Sequence, residues 1–364
     1  AYADARQAFT RAGSPERAAQ MTLARGRLLW DAGQHDEAVA DWTSGLDFLR
    51  RSRKSMRDET LRLAQATSMR RILESLAGAA LERGETADVV LGLTESSRFQ
   101  TTAEWLTDGS REPLDLAAIR RSLSPDTALV YYLNLRSATY AAVLRNGRDT
   151  VTLRSLSHGP SNGEWGSTGH QAEALYDALV RPLAGDLAGA QALVIVPGPA
   201  TNGVPWAALT DRATGLPLLG TFRLSIVPSG TVYALLRERD RPGSGALRVE
   251  TFGVGQAPAD ESLPALARAE SEARAVAAAY AGARAWVGTE ATSRRFADAM
   301  QRADIVHFAG HGVYNPDYPM TSRLLMAPDP ERGSRLFADD ISRLSNVTAR
   351  IVVLAACSSA GGGG

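Results

Sequence analysis

The sequence predicts a helical, repeat-like N-terminal domain followed by an α/β domain built on a mostly parallel sheet with helices on both faces. Three observations lead there. From Ala1 to about Leu106 apolar residues recur at three- and four-residue spacing, no proline follows Pro15, and Ala, Leu, Arg and Glu dominate, the pattern of packed amphipathic helices. Beyond Gly109-Ser110-Arg111-Glu112-Pro113 the texture changes to short β-branched runs alternating with helical stretches, the rhythm of βαβ units. Two such runs near the end, Asp304 to Ala309 and Ile351 to Ala356, lead into His311 and Cys357. Each run reads as a strand buried on both faces and giving way to a loop.

The totals exclude several classes. The chain has 364 residues, enough for two domains. Forty basic residues balance forty acidic ones, so no global field attracts nucleic acid or an anionic membrane. Lys54 is the one lysine, which points to a high-GC coding source. One cysteine rules out a disulfide framework and fits a reducing, cytoplasmic compartment. No stretch is apolar enough to span a bilayer, and Ala1-Tyr2-Ala3-Asp4-Ala5-Arg6 reads as a mid-protein start, not a signal peptide.

Within the helical part, assigned to residues 1–110, Gly26 to Trp42 reads as a helix hairpin: Trp30 near the end of one helix, a turn at Gly33, then Ala38 and Trp42 on the next. Ala38 is small enough to let the two helices approach. The segment resembles a tetratricopeptide repeat, with a degenerate second copy around Leu81-Glu82-Arg83-Gly84-Glu85. Stacked hairpins present a concave face to a protein partner; a plain helical bundle is the alternative. Arg50 to Arg57 is the densest basic run and lacks interleaved aromatics, so it reads as a solvated face or turn.

The second domain is assigned to residues 111–364. Ala128 to Leu135, Thr139 to Leu144 and Val151 to Leu156 read as a meander, with a hairpin turn at Asn146-Gly147. Ser157 to His170 reads as a loop carrying His158 and His170. Expected next are a helix at Gln171 to Leu183, buried strands at Ala192 to Val196 and Phe222 to Val227, a helix at Thr231 to Glu238, and a linker at Pro242 to Gly245. A strand at Leu247 to Val254, a helix at Ala267 to Tyr280, a short strand at Trp286 to Gly288 and a helix from Thr292 to Arg302, capped by Thr292 or Ser293, complete the pattern.

In open parallel sheets working residues gather at the carboxyl ends of strands, where His311 and Cys357 both fall. A thiolate is the reactive form of cysteine, and an imidazole can take its proton. The backbone N–H groups of Gly312 and Cys357 are candidate oxyanion donors. The two residues lie 46 positions apart, histidine first, close to the caspase spacing of about 50. His307, inside the strand, reads as a buried, hydrogen-bonded support.

Ala303 to Gly312 followed by Val352 to Cys357 resembles the CHAT family, caspase-like cysteine proteases often joined to tetratricopeptide repeats. Leu193 to Pro197, Val204 to Leu209, Ile226 to Ser229, Leu263 to Glu270, Leu324 to Ala327 and Leu336 to Ile341 follow the family's order, and Glu95-Ser96-Ser97-Arg98 resembles the helix that leads into such domains. The resemblance covers about Leu114 to Gly364. It implies a caspase-like α/β fold, His311 as base and Cys357 as nucleophile of an endopeptidase passing through a thioester, a bacterial source, a protein substrate, and a protein activator or regulator acting through residues 1–110. A catalytically silent scaffold is the alternative. Relatives that cut after Arg or Lys carry acids where this chain has Gly198 and Ala355; Asp317, Asp339 and Asp340 are candidates for a substrate pocket, or a solvated loop and a helix cap. Family members continue beyond the cysteine with further strands, so a C-terminal part of the domain is expected beyond Gly364. No cofactor or metal is expected: the histidines show no metal spacing, Gly253-Val254-Gly255 lacks a third glycine, and neither a Walker motif nor a Gly-x-Ser-x-Gly elbow occurs. Neither nucleic acid nor a membrane is an expected partner.

Overall fold

The computed structural model describes residues 2–53, 59–107, 113–135, 138–148, 150–156, 169–239, 245–315 and 317–356. Contacts divide the chain into two compact units, Ala1–Arg239 and Asp240–Gly364. The break lies between Arg239 and Asp240, just before the Pro242 to Gly245 stretch. The Gly109 to Pro113 stretch lies within the first unit.

The first unit opens with five helices: α1 (Tyr2–Arg11), α2 (Pro15–Asp31), α3 (His35–Arg53), α4 (Glu59–Glu82) and α5 (Ala87–Thr107). The turns after α1, α2 and α4 share one geometry. Gly13, Gly33 and Gly84 hold φ of +66°, +77° and +74°. The residue after each glycine donates its N–H five positions back, Ser14 to Phe9, Gln34 to Leu29 and Glu85 to Ala80. This helix-ending motif needs a left-handed residue, which glycine adopts without strain. The expected α2–α3 hairpin is present: Trp30 stacks on His35 at 4.2 Å and on Trp42 at 5.9 Å, and Ala38 and Trp42 are fully buried. The basic run begins at the end of α3, and its residues 54–57 lie outside the described ones.

After α6 (Leu116–Ser122) come β1 (Thr127–Leu135), β2 (Ala138–Arg145), β3 (Thr152–Leu156), α7 (Gly169–Leu179), α8 (Ala184–Leu187), β4 (Ala192–Val196), α9 (Leu218–Thr221), β5 (Arg223–Ile226) and α10 (Gly230–Arg239). The strands order as β3-β2-β1-β4-β5, antiparallel through the expected meander and parallel from β1 to β4 to β5. One face packs on Leu175, Leu179 and Trp206; the other packs on Ala77, Val90 and Leu91 of α4 and α5. The helices therefore share a core with the sheet, which is why contacts show no division near residue 110. Glu95 of α5 is buried and accepts from the Tyr131 hydroxyl (2.7 Å) and the N–H groups of Gly230 (3.0 Å) and Thr231 (2.7 Å), capping α10 from another helix. Two expectations change here, and a third falls outside the described residues. His170 lies on α7, not in a loop. Residues 157–168, with His158, lie outside the described ones. β5 is an edge strand with Arg223, Ser225 and Ile226 exposed, so an apolar run marked a strand but not its burial.

The second unit contains β6 (Val249–Gly253), α11 (Ala269–Ala278), β7 (Arg284–Val287), α12 (Ser293–Arg302), β8 (Ile305–Ala309), β9 (Gly312–Val313), β10 (Arg323–Asp329), β11 (Gly333–Phe337), α13 (Ala338–Ser342) and β12 (Ile351–Ala355). Four strands form a wholly parallel sheet in the order β12-β8-β6-β7. The alternation of β8 sends Val306 and Phe308 into the core beneath α12, with Phe252 and Phe296. His307 faces α11, whose Glu272 lies 3.1 Å from its Nε2. On that face a Cβ at Gly253 would stand 2.7 Å from the Glu270 Cα, so glycine lets α11 seat directly on the sheet. Thr292 caps α12 by accepting from the Arg295 N–H.

The strands thus form separate sheets rather than one mostly parallel sheet. Antiparallel pairing of β1, β2 and β3 makes the first sheet mixed, and it belongs to the first unit, whereas the wholly parallel sheet belongs to the second. β12 also differs from expectation. It is the outer strand of its sheet, and Ile351, Val352, Val353 and Leu354 are 37–52% exposed, because no described residue covers its faces as α11 and α12 cover β8.

Candidate active site

The site grows from the carboxyl end of β8, the buried central strand of the second unit. Parallel pairing puts the ends of β6 and β12 on either side of it. Val254 N–H donates to the Ala309 carbonyl (2.9 Å) and Gly310 N–H to the Ala355 carbonyl (3.3 Å). Gly310 makes the exit possible: a Cβ there would lie 2.6 Å from the Phe308 ring.

His311, one residue on, is buried, and its Nε2 lies 2.8 Å from the Pro264 carbonyl oxygen. A carbonyl only accepts, so Nε2 carries the proton and, in the neutral ring, Nδ1 holds the lone pair. Pro264 sits in the loop after β6, which is folded on itself by Leu266 N–H donating to the Gly255 carbonyl at 2.7 Å. The histidine is thus held from the β6 side, with the exit of β12 on the other.

β8 and β12 pair from Ile305↔Ile351 to Ala309↔Ala355, every pair 46 residues apart. His311 and Cys357 have the same separation. Cys357 lies outside the described residues, which end at Ala356.

Gly312 is paired with Leu324, and Leu325 N–H donates to the His311 carbonyl at 2.9 Å. That bond makes Gly312 and Leu324 a pair of the non-hydrogen-bonded kind, whose own N–H groups point away from the ladder.

The three candidate pocket acids occupy the neighbouring surface. Asp317 is exposed, and its N–H donates to Asn315 Oδ1 at 3.1 Å. Asp340 Oδ2 accepts from the Phe337 N–H at 3.0 Å, at the start of α13, and Asp339 pairs with Arg343 at 2.8 Å. The Pro319–Thr321 turn packs on α13, bringing the loop of Asp317 near the two other acids. A recess of about 320 Å³ opens beside the Pro264 loop, lined by Gly255, Gln256, Ala265, Leu266, Glu270 and Arg274 among others, and by none of those acids.

Sequence reasoning missed three features: the Pro264 carbonyl, the small antiparallel sheet β11-β10-β9, and an ionic cluster joining them. The hairpin was legible. Asp329-Pro330-Glu331-Arg332-Gly333 is turn chemistry, and Asp329 does accept from the Glu331 and Arg332 N–H groups. The cluster was not. Glu261 accepts two bonds from Arg323 (3.1 and 2.9 Å) and one from Arg335 (2.7 Å), which also pairs with Asp260. Hydrogen bonds from Arg323 and then Arg335 hold the Glu261 carboxyl below the usual carboxylate range.

Among the described residues no group of His, Cys, Asp and Glu could hold a metal, and no helix is long and apolar enough to cross a membrane. A parallel sheet covered by helices on both faces, with a histidine at the end of its central strand, defines an α/β module compatible with a caspase-like fold. Residues 169–364, more than half of the chain, match the CHAT domain. The chain belongs to the CHAT domain family, whose domain is related to caspase-like cysteine peptidases. No curated protein matches it.

Proposed function

We propose that the chain is a cysteine endopeptidase in which His311 and Cys357 act as a dyad on a protein substrate. The observation that carries this reading is the constant 46-residue offset between β8 and β12, which is also the separation of His311 and Cys357. Nδ1 of His311, left unprotonated by the bond of Nε2 to Pro264, takes the thiol proton. The thiolate attacks the scissile carbonyl, and the Gly312 and Cys357 N–H groups receive the oxyanion. Collapse expels the amine, which takes the proton from the imidazolium and leaves a thioester. Water, deprotonated by the same imidazole, hydrolyses it. Asp317 is exposed to a basic substrate side chain, which would also compete with Arg343 for Asp339, with the Phe337 N–H for Asp340 and with Arg274 for Glu270 in the recess beside the Pro264 loop.

The helical region acts as a tetratricopeptide-like platform for a protein activator or regulator. Its repeated glycine turns support this, as does a concave recess between α1, α2 and α3 bordered by Arg6, Arg11, Phe48 and Arg51.

The test is alkylation of Cys357 by iodoacetamide at pH 7 in the full chain and in His311→Ala. An activated thiol reacts about tenfold faster or more with His311 present. Equal, slow rates in both proteins would mean a catalytically silent module and overturn the proposal.

A further inference from the structure

The ionic cluster on Glu261 ties together the two partners of the His311–Pro264 hydrogen bond. Pro264 is three residues beyond Glu261, and between them Ser262 has φ of 49° and ψ of 35°. A non-glycine residue in this left-handed region is strained, and such a conformation persists only where its surroundings over-determine it. What determines it here is Glu261. Its side chain is 9% exposed, and it is gripped through both carboxylate oxygens by the fork of Arg323 and through one by Arg335. Bidentate guanidinium contacts fix orientation as well as distance.

Both arginines come from the β10–β11 hairpin. Arg323 pairs with Phe337 and Leu325 with Arg335, so the arginines point from the same face of the hairpin toward the loop. The same hairpin holds the other partner, because Leu325 N–H donates to the His311 carbonyl. One element therefore grips the main chain of the base and the loop that presents the carbonyl to its ring.

Resting on the dyad reading above, we propose that Glu261, with Arg323 and Arg335, is a positioning residue: it aims the Pro264 carbonyl at His311 and thereby fixes the tautomer that leaves Nδ1 as base. Without the clamp Ser262 relaxes out of the left-handed region, the Pro264 peptide turns, and the imidazole loses the acceptor that keeps its proton on Nε2. Glu261 touches neither thiol nor substrate.

The clamp is tested first without the cysteine. Ring ¹⁵N shifts of His311, assigned by difference from His311→Ala, show the Nε2–H tautomer in the wild-type chain and an average of two tautomers in Glu261→Gln. Arg323→Lys, which keeps the charge but loses the fork, moves in the same direction and covers the case in which Glu261→Gln does not fold. Ser262→Gly in the Glu261→Gln background restores part of the wild-type signature, since glycine accepts the turn unaided. An unchanged tautomer in folded Glu261→Gln or Arg323→Lys overturns the clamp, whatever Cys357 does. The second arm is the pH dependence of Cys357 alkylation. A wild-type midpoint below the free-thiol value of about 8.5 moves up toward it in Glu261→Gln, with the rate at pH 7 falling roughly 10- to 100-fold. A wild-type midpoint at the free-thiol value overturns the dyad, and with it the catalytic purpose of the clamp, while the tautomer result stands apart.

Discussion

Ala309 lies opposite Ala355 as the last pair of a parallel ladder whose members are all 46 residues apart. Parallel strands keep a constant offset for as long as they pair. The spacing of His311 and Cys357 is that offset.

Cleavage follows as a prediction. Wild-type chain incubated with a denatured proteome digest is expected to generate new peptide N-termini, and Cys357→Ala none, as read by terminal labelling and mass spectrometry. Identical termini from both proteins would remove Cys357 from the reaction.

Packing of the helical hairpin gives a paired prediction. A Cβ at Gly26 would stand 2.1 Å from the Trp42 Nε1, whereas one at Gly92 meets nothing within 4 Å. Gly26→Ala should destabilise by about 2 kcal/mol, overpacking outweighing helix propensity. Gly92→Ala should be neutral or stabilise by up to about 1 kcal/mol. Urea midpoints measure both, and a stabilising Gly26→Ala would mean that the α2–α3 contact is looser than described.

Glu95 satisfies three buried donors, so Glu95→Ala leaves the Tyr131 hydroxyl and the N–H groups of Gly230 and Thr231 without it. The expected loss is about 3 kcal/mol. Tyr131→Phe, which removes one bond and leaves the cap of α10, should cost about 1 kcal/mol. Similar urea midpoints for the two variants would show that the cap carries little.

Acid sensitivity should centre partly on Glu250. Burial raises its carboxyl, but bonds from Arg302 (2.6 and 2.9 Å) and Trp286 (2.8 Å) outweigh that, and the net shift is downward. A depressed folded value means that ionised Glu250 contributes stability above the ordinary carboxylate range, near 4.3. That contribution is lost as pH falls through the folded value. Arg302 is half-exposed, so Arg302→Met should cost about 2 kcal/mol at pH 7, less than breaking a fully buried pair. The difference from wild type should narrow as pH falls below the ordinary carboxylate range. A gap unchanged between pH 7 and pH 3 in denaturant titrations would assign the effect to packing.

The elements that sequence reasoning placed well were local in origin. The helices through residue 107, the β1–β3 meander, β4, α12 with its Thr292 cap, β6 and β8 follow from periodicity, turn residues and caps, which act over a few positions. The expectations that changed concern neighbours. The apolar runs of β5 and β12 were read as buried, yet whether an apolar strand is covered depends on its place in the sheet. The same limit hid the three sheets behind one βαβ rhythm, since pairing partners are chosen across the fold.

The matched spacing of His311 and Cys357 was determined by the chain itself, since a parallel ladder preserves sequence separation. The partner of His311 was decided only by tertiary structure. Pro264 presents a backbone carbonyl, which no side-chain pattern announces. Glu261 meets Arg323 and Arg335 from 62 and 74 residues away, a pairing set by how the hairpin folds over the loop and not by any local preference.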